Sequence, residues 1–221
     1  ITEFFGVKLA NSLLQKGIKA NLLIGNNVLA HVPDINDFVG GLKILLHEKG
    51  MITMEFPHLV ELVENSQFDT IYHEHFSYLS LYATKQIFEH HGLHIVQVDK
   101  LPTHGGSIRV YATHPGNGIA VEASVEQVLQ EELQKGVNNL AYYKGFQEKA
   151  LRIKLDLLSF LIEQKNKGKR VAAYGAAAKG NTLLNYCGVK NDLVEFVVDA
   201  NPNKQQKFMP ASHIPIVNEE Y

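Results

Sequence analysis

Among its 221 residues the sequence has a single cysteine, Cys187. A lone thiol cannot close an internal disulfide, and no structural Cys-zinc site can be built from it; a reducing, cytoplasmic setting fits. Neither sign of charge is in excess, with 21 Lys and Arg against 23 Asp and Glu for a net −2. That balance gives no broad electrostatic case for nucleic acid or an anionic membrane as partner. No apolar run approaches the roughly 20 residues that span a bilayer, and no segment reads as a signal peptide. The chain opens at Ile1 rather than Met and ends at "HIPIVNEEY" without a closing element, so a piece of a longer protein is expected. Histidine, by contrast, is plentiful: there are eleven, several of them clustered. The length and the 45% hydrophobic content suit one large or two modest globular domains.

Apolar spacing predicts the elements. Phe4, Phe5, Leu9, Leu13 and Leu14 recur at helical intervals, and Gly17 marks the stop. "ANLLIG" reads as a buried strand and "NNVLAHVPD" as its exit loop. "INDFVGGLKILLHEKG" reads as a helix capped by Asp34, and "MITMEF" as a strand ended by Pro57. Helix and strand in alternation point to an α/β fold with a parallel sheet. "LYATKQIFEHHGL" is a further helix with Gly92 as its stop, and "HIVQVDKL" and "GSIRVYATH" are strands able to form a hairpin. "HPGNG" is a natural boundary. Leucines and valines from Val125 to Ile162 then step by three or four, giving one long helix or a pair broken at Gly136 or Gly145. "KRVAAYGAAAKGNTLLNYCG" and "LVEFVVDANPN" form a second strand–helix–strand unit.

Several constellations can carry chemistry. Gly175, Lys179 and Gly180 stand at a strand-to-helix turn, where free backbone N–H groups and the helix dipole suit a phosphate or diphosphate. Asp199 ends the next strand, where such folds often bind a ribose hydroxyl. The glycines fit neither GxGxxG nor the full P-loop pattern, and a plain turn with a solvated lysine stays open. Asn26, Asn27 and His31 follow the carboxyl end of the first strand, where open α/β sheets place ligands; turn and surface roles account for them equally. In "FDTIYHEHFSYLS" an extended chain puts Tyr72 and Glu74 on one face and His73 and His75 on the other. His-x-His can chelate a metal, yet no third or fourth ligand is spaced for it. An imidazole also titrates near neutrality and can move protons, oriented by a nearby Glu, or it can be a hydrogen-bonded loop residue. "THGGSIRVY" sets Gly105 and Gly106 before a strand bearing Arg109, for close approach to a ligand and a phosphate clamp, or for a flexible corner and a surface cation.

Taken in order, "NNVLAHVPDINDF", "EFPHL…FDTIYHEHFSYLS", "HGGSIRVY", "YGAAAKGNTLLNY" and "VDANPNKQ…HIPI" strongly resemble the nucleotide-sugar C-methyltransferases of deoxysugar biosynthesis. The resemblance covers essentially the whole chain. It implies a partial Rossmann-type methyltransferase domain over residues 1–115, a helical connection over 116–168, and an incomplete C-terminal Rossmann-like α/β domain over 169–221. Zinc is implied only for an N-terminal module that these residues do not include, and the half of the methyltransferase domain with the glycine-rich S-adenosylmethionine loop is likewise outside them. The resemblance makes His75 the base that takes the proton beside the ketone, Glu74 its partner, Tyr72 a site tyrosine and His31 a second site histidine. Asn26, Asn27 and Val28 fall along the cofactor, S-adenosylmethionine. Gly105, Gly106, Arg109, Gly175, Ala176, Lys179, Gly180 and Asp199 fall on the nucleotide-diphosphate sugar. No metal is required, and this chain alone is expected to be inactive. A nucleotide-sugar isomerase or dehydratase using the same base, or a non-catalytic nucleotide-binding module, would share these features.

Overall fold

The first helix, α1 (Val7–Gln15), forms because Leu9, Ala10 and Leu13 make one buried stripe; the computed structural model that shows this describes residues 1–221. Next come β1 (Ala20–Asn26), a single 3₁₀ turn (Leu29–His31) and α2 (Ile35–Leu45). Asp34 caps α2 as expected, its carboxylate accepting from Asn36 N and Asp37 N at 3.0 Å each. The strand β2 (Leu46–Pro57) then begins without a loop. Residues 46–50, expected as the tail of the helix, are therefore strand. Leu46 is drawn into the core and pairs with Ala20 of β1, which outweighs the helical pattern of the charged residues that follow.

The chain divides into two units, one of Ile1–Asn65 with His73–Lys144 and one of Ser66–Tyr72 with Gly145–Tyr221. The first unit continues through α3 (Leu59–Glu64), α4 (Leu81–His90), β3 (His94–Leu101), β4 (Ser107–Thr113) and α5 (Ala123–Lys135). Its sheet runs β1-β2-β4-β3. The pair β1 and β2 is parallel and the other two pairs are antiparallel, so the sheet is mixed. One face carries Ile52, Met54, Phe56, Ile108 and Val110 into the core, with Phe38, Leu81 and Phe88 from the helices packed against it. The opposite face is polar toward β4. "ANLLIG" does form a strand, but a half-exposed one at the sheet edge: Leu22 is 52% and Ile24 65% exposed.

The second unit contains α6 (Phe146–Asn166), β5 (Ala173–Tyr174), α7 (Ala178–Cys187), β6 (Val197–Val198) and β7 (Ile216–Val217). Its three short strands are parallel in the order β5-β6-β7. Leu161, Cys187, Val197, Ile214 and Ile216 form its core, and burial pushes the Cys187 thiol above its ordinary value. Residues 66–72 join this unit through Phe68, whose ring centroid lies 4.8 Å from that of Tyr186. The expected break in the helical stretch occurs at both glycines: Gly136 ends α5 and Gly145 precedes α6, each with positive φ. No helix is long and apolar enough to cross a membrane.

Candidate active site

Three segments of the first unit meet at the carboxyl ends of β1 and β2. The first is the exit of β1. Asn27 is left-handed (φ +54) and its N–H donates to Glu55 O at 2.8 Å, which extends the β1–β2 pairing by one residue. The chain then turns through Leu29–His31, with Leu29 and Ala30 buried.

The second segment carries His75. Phe76 N and Ser77 N both donate to Ala30 O, at 2.9 and 3.2 Å, tying this stretch to the turn that bears His31. The His31 and His75 rings stand edge to face with centroids 4.6 Å apart, and Tyr78 is edge-on to His75 at 6.1 Å. Two imidazoles and a phenol thus share one small space. They can accept, donate or relay a proton without any metal. Glu74 and His73 are exposed. Tyr72 closes the 66–72 stretch of the second unit.

The third segment is the turn before β4, which lies beside the end of β2 because Ser107 pairs with Pro57. His104 is left-handed (φ +56), and Gly105 and Gly106 follow with positive φ. At Gly106 a Cβ would fall 2.4 Å from Glu61 Cγ, so glycine is needed there for space as well as for conformation. The Asn27 amide donates from Nδ2 to His104 Nε2 at 2.5 Å, which joins the first and third segments. Asn27 Oδ1 is buried with no hydrogen-bond partner in the chain.

Beneath this turn Glu55 accepts from Thr103 Oγ1 at 2.9 Å and from Arg109 Nη2 at 2.7 Å. Burial alone would raise the Glu55 pKa. The hydrogen bonds from Arg109 and Thr103 outweigh it, helped by the charges of Arg109 and His104, and hold the carboxyl below its ordinary value. The Glu55 hydrogen bond raises the Arg109 pKa in return. Arg109 therefore sits in the sheet as the partner of Glu55.

Beside the exit of β1 is a cleft of about 410 Å³ lined by Phe4, Phe5, Val28, Val32, Pro33 and Phe38, with Asp34 and Asp37 at its edge. No group of three or more His, Cys, Asp or Glu side chains is arranged to hold a metal ion.

In the second unit, Gly175 takes φ +91 as β5 ends, and its N–H donates to Val198 O at 2.7 Å. Asp199 accepts from Ala176 N at 2.7 Å, from Asn201 N at 2.8 Å and from Lys204 Nζ at 3.1 Å. The Asn201 N–H, then Lys204, pull its carboxyl below the ordinary range against a smaller opposing effect of burial. Asp199 thus fastens the turn ahead of α7, the helix that carries Lys179 and Gly180.

Sequence reasoning named His31, His75, Asn27 and the Gly105–Gly106 pair in this region, and missed Tyr78, His104 and Glu55. "HGG" and "EF" stood within quoted motifs, so a signal was present. The cross-strand register that seats Glu55 opposite Arg109 was not readable.

A family model described as "C-methyltransferase C-terminal domain" matches residues 102–221. The C-methyltransferase NovU of Streptomyces niveus is 39% identical over 201 residues, covering 91% of this chain and 48% of that protein. The chain thus spans about half the length of the curated relative it matches. Among solved structures, magnesium protoporphyrin IX methyltransferase from Synechocystis, determined with bound SAH, aligns over 46% of this chain and 48% of its own, at 16% identity and a TM-score of 0.35. An S-adenosylmethionine-dependent methyltransferase from Clostridium acetobutylicum aligns over 48% and 69%, at 10% identity and a TM-score of 0.36.

Proposed function

The chain belongs to the C-methyltransferase family, and from that premise we propose that it is the part of a sugar C-methyltransferase that turns a ketone-bearing sugar into a carbon nucleophile. The carrying observation is the His75 ring edge-on to His31 at 4.6 Å beside the exit of β1. A sugar carbon can take a methyl group only after losing a proton. The proton beside a ketone comes within reach of an imidazole once the enolate oxygen is stabilised. His75 is the base: the C–H bond breaks, its proton goes to the imidazole, and its electron pair moves toward the carbonyl oxygen. His31 and Tyr78 are the nearby donors for that oxygen, and Glu74 orients the base.

S-adenosylmethionine supplies, when bound, an electrophilic methyl group on sulfur. Asn26, Asn27 and Val28 would hold it. The fit rests on the unpaired buried acceptor of Asn27 and on the apolar cleft that Val28 lines, which suit a flat adenosyl group bearing N–H donors. The substrate is a nucleotide-diphosphate keto-deoxysugar. In the second unit, backbone at Gly175, Ala176 and Gly180, with Lys179, suits a phosphate or diphosphate at the start of α7, and Asp199 keeps that turn in shape. Gly105 and Gly106 leave room for the sugar, and Arg109 and Glu55 pair beneath that turn. A cytoplasmic setting suits such a substrate.

The test is isotope exchange by the full-length protein with a nucleotide-linked keto-deoxysugar in heavy water. His75→Ala should slow deuterium uptake beside the ketone and methyl transfer alike, by about 10²-fold or more. Exchange without methyl transfer would indicate an isomerase or dehydratase, and unchanged turnover in the variant a non-catalytic nucleotide-binding module.

A further inference from the structure

We infer that Glu132 and His58 are positioning residues that hold the His75 segment in place, an inference that rests on His75 as the base. Neither residue belongs to the site described above, yet both are ionisable and almost fully enclosed, Glu132 at 1% and His58 at 5% exposure. Glu132 reaches in from α5. Its Oε1 accepts from His58 Nε2 at 2.7 Å and from Leu81 N at 2.6 Å, and its Oε2 accepts from Tyr82 N at 2.7 Å. One carboxylate is therefore occupied by three donors from two different segments.

Helix capping alone does not require this. Ser80 is the N-cap of α4, its hydroxyl accepting from Ala83 N at 3.1 Å and its carbonyl from Thr84 N at 3.0 Å. That leaves the N–H groups of Leu81 and Tyr82, which water could serve on an exposed helix. Here they are served by a buried anion that also grips His58. The carboxylate sits at the N-terminal end of α4, against its first free N–H groups.

The location of His58 gives the grip its consequence. It directly follows β2. Its backbone N–H donates to Gly106 O at 3.0 Å, and Leu59 N donates to Leu79 O at 3.0 Å. The Glu132–His58 pair thus ties three things together: the end of β2, the glycine turn before β4, and residues 79–82. Tyr78 lies just upstream, between this fixed end and the Phe76 and Ser77 bonds to Ala30 O, and His75 immediately precedes those bonds. The stretch from Phe76 to Tyr82 is thus held at both ends, and His75 stands at its first anchor, against His31. With the grip removed, Leu81 N, Tyr82 N and the imidazole lose their acceptor, and the downstream anchor of His75 loosens.

The test uses the full-length protein and two readouts. Hydrogen exchange is followed over residues 73–82 in Glu132→Gln, His58→Phe and His58→Gln; a glutamine at position 58 can still donate an N–H to Glu132. Enolisation is followed as deuterium uptake into the sugar. Glu132→Gln and His58→Phe should speed exchange over 73–82 by about tenfold, with melting temperatures that still show a folded protein. Their kcat should drop by about tenfold while KM stays within about twofold, and His58→Gln should restore most of both. Exchange over 73–82 as slow as in the wild type, in whichever of the first two variants folds, would overturn the inference. So would faster exchange with an unchanged kcat, provided that His75→Ala is impaired. If His75→Ala turns over normally, the base assignment fails by itself, and the exchange readout alone decides whether the grip exists.

Discussion

Tyr142 is enclosed with its hydroxyl lacking a partner in the chain. Burial, then the charge of Glu64, pushes its pKa from the ordinary 10 up to about 12. Leaving a buried hydroxyl unpaired costs about 1–3 kcal/mol, so Tyr142→Phe should stabilise the protein by about 1 kcal/mol in urea unfolding at neutral pH. Because the folded pKa is raised, the wild type has its full stability below pH 10 and loses part of it as pH climbs toward 12. The Phe variant should lack that share of the alkaline loss. A destabilised variant would contradict this reading. Glu55 has the opposite sign. Its folded pKa is lowered, so its contribution is present above the ordinary 4.5 and is lost as pH falls below that value. Arg109→Gln should cost about 1–3 kcal/mol at pH 7 and clearly less at pH 3; an equal cost at both would remove the ion pair from the account. Sequence reading found Arg109 and missed its partner, since residues 54 apart become neighbours only through strand register.

At the scale of elements, local rules were legible wherever one residue decides the outcome. Asp34 caps α2, Gly136 and Gly145 break the long helical stretch, and "PTHG" brings β3 and β4 together as an antiparallel pair. Periodicity misled where tertiary pairing took over. Residues 46–50 carry helix-like polar spacing but continue β2, and β1 looked buried because its apolar run does not reveal that it is an edge. The two-sided character of the sheet gives a direct check. Ile24 lies on the exposed face and Met54 in the core. Ile24→Thr should change stability by no more than about 0.5 kcal/mol, whereas Met54→Ala should cost about 2–5 kcal/mol. Comparable costs would mean that the outer face of β1 is covered in solution.

At the scale of the whole molecule, alternating helix and strand mark the α/β class, and the order of the motifs marks the family. The sequence could not show that residues 66–72 belong with the second unit, nor that α5 and α6 belong to different units. The first follows from the Phe68 ring packing on Tyr186, the second from Val125 and Leu161 entering different cores. The cluster in "YHEH" was visible as chemistry from the start. Its neighbours were not: His31 meets His75 because Ala30 O takes two N–H groups from across the chain. The central claim is that His75 removes the sugar proton. The most direct measurement is deuterium uptake beside the ketone of a nucleotide-linked keto-deoxysugar by the full-length protein, wild type against His75→Ala, with S-adenosylmethionine withheld so that proton removal is observed by itself. The account predicts uptake in the wild type and a fall of about 10²-fold or more in the variant; uptake at the wild-type rate in a folded His75→Ala protein would contradict it.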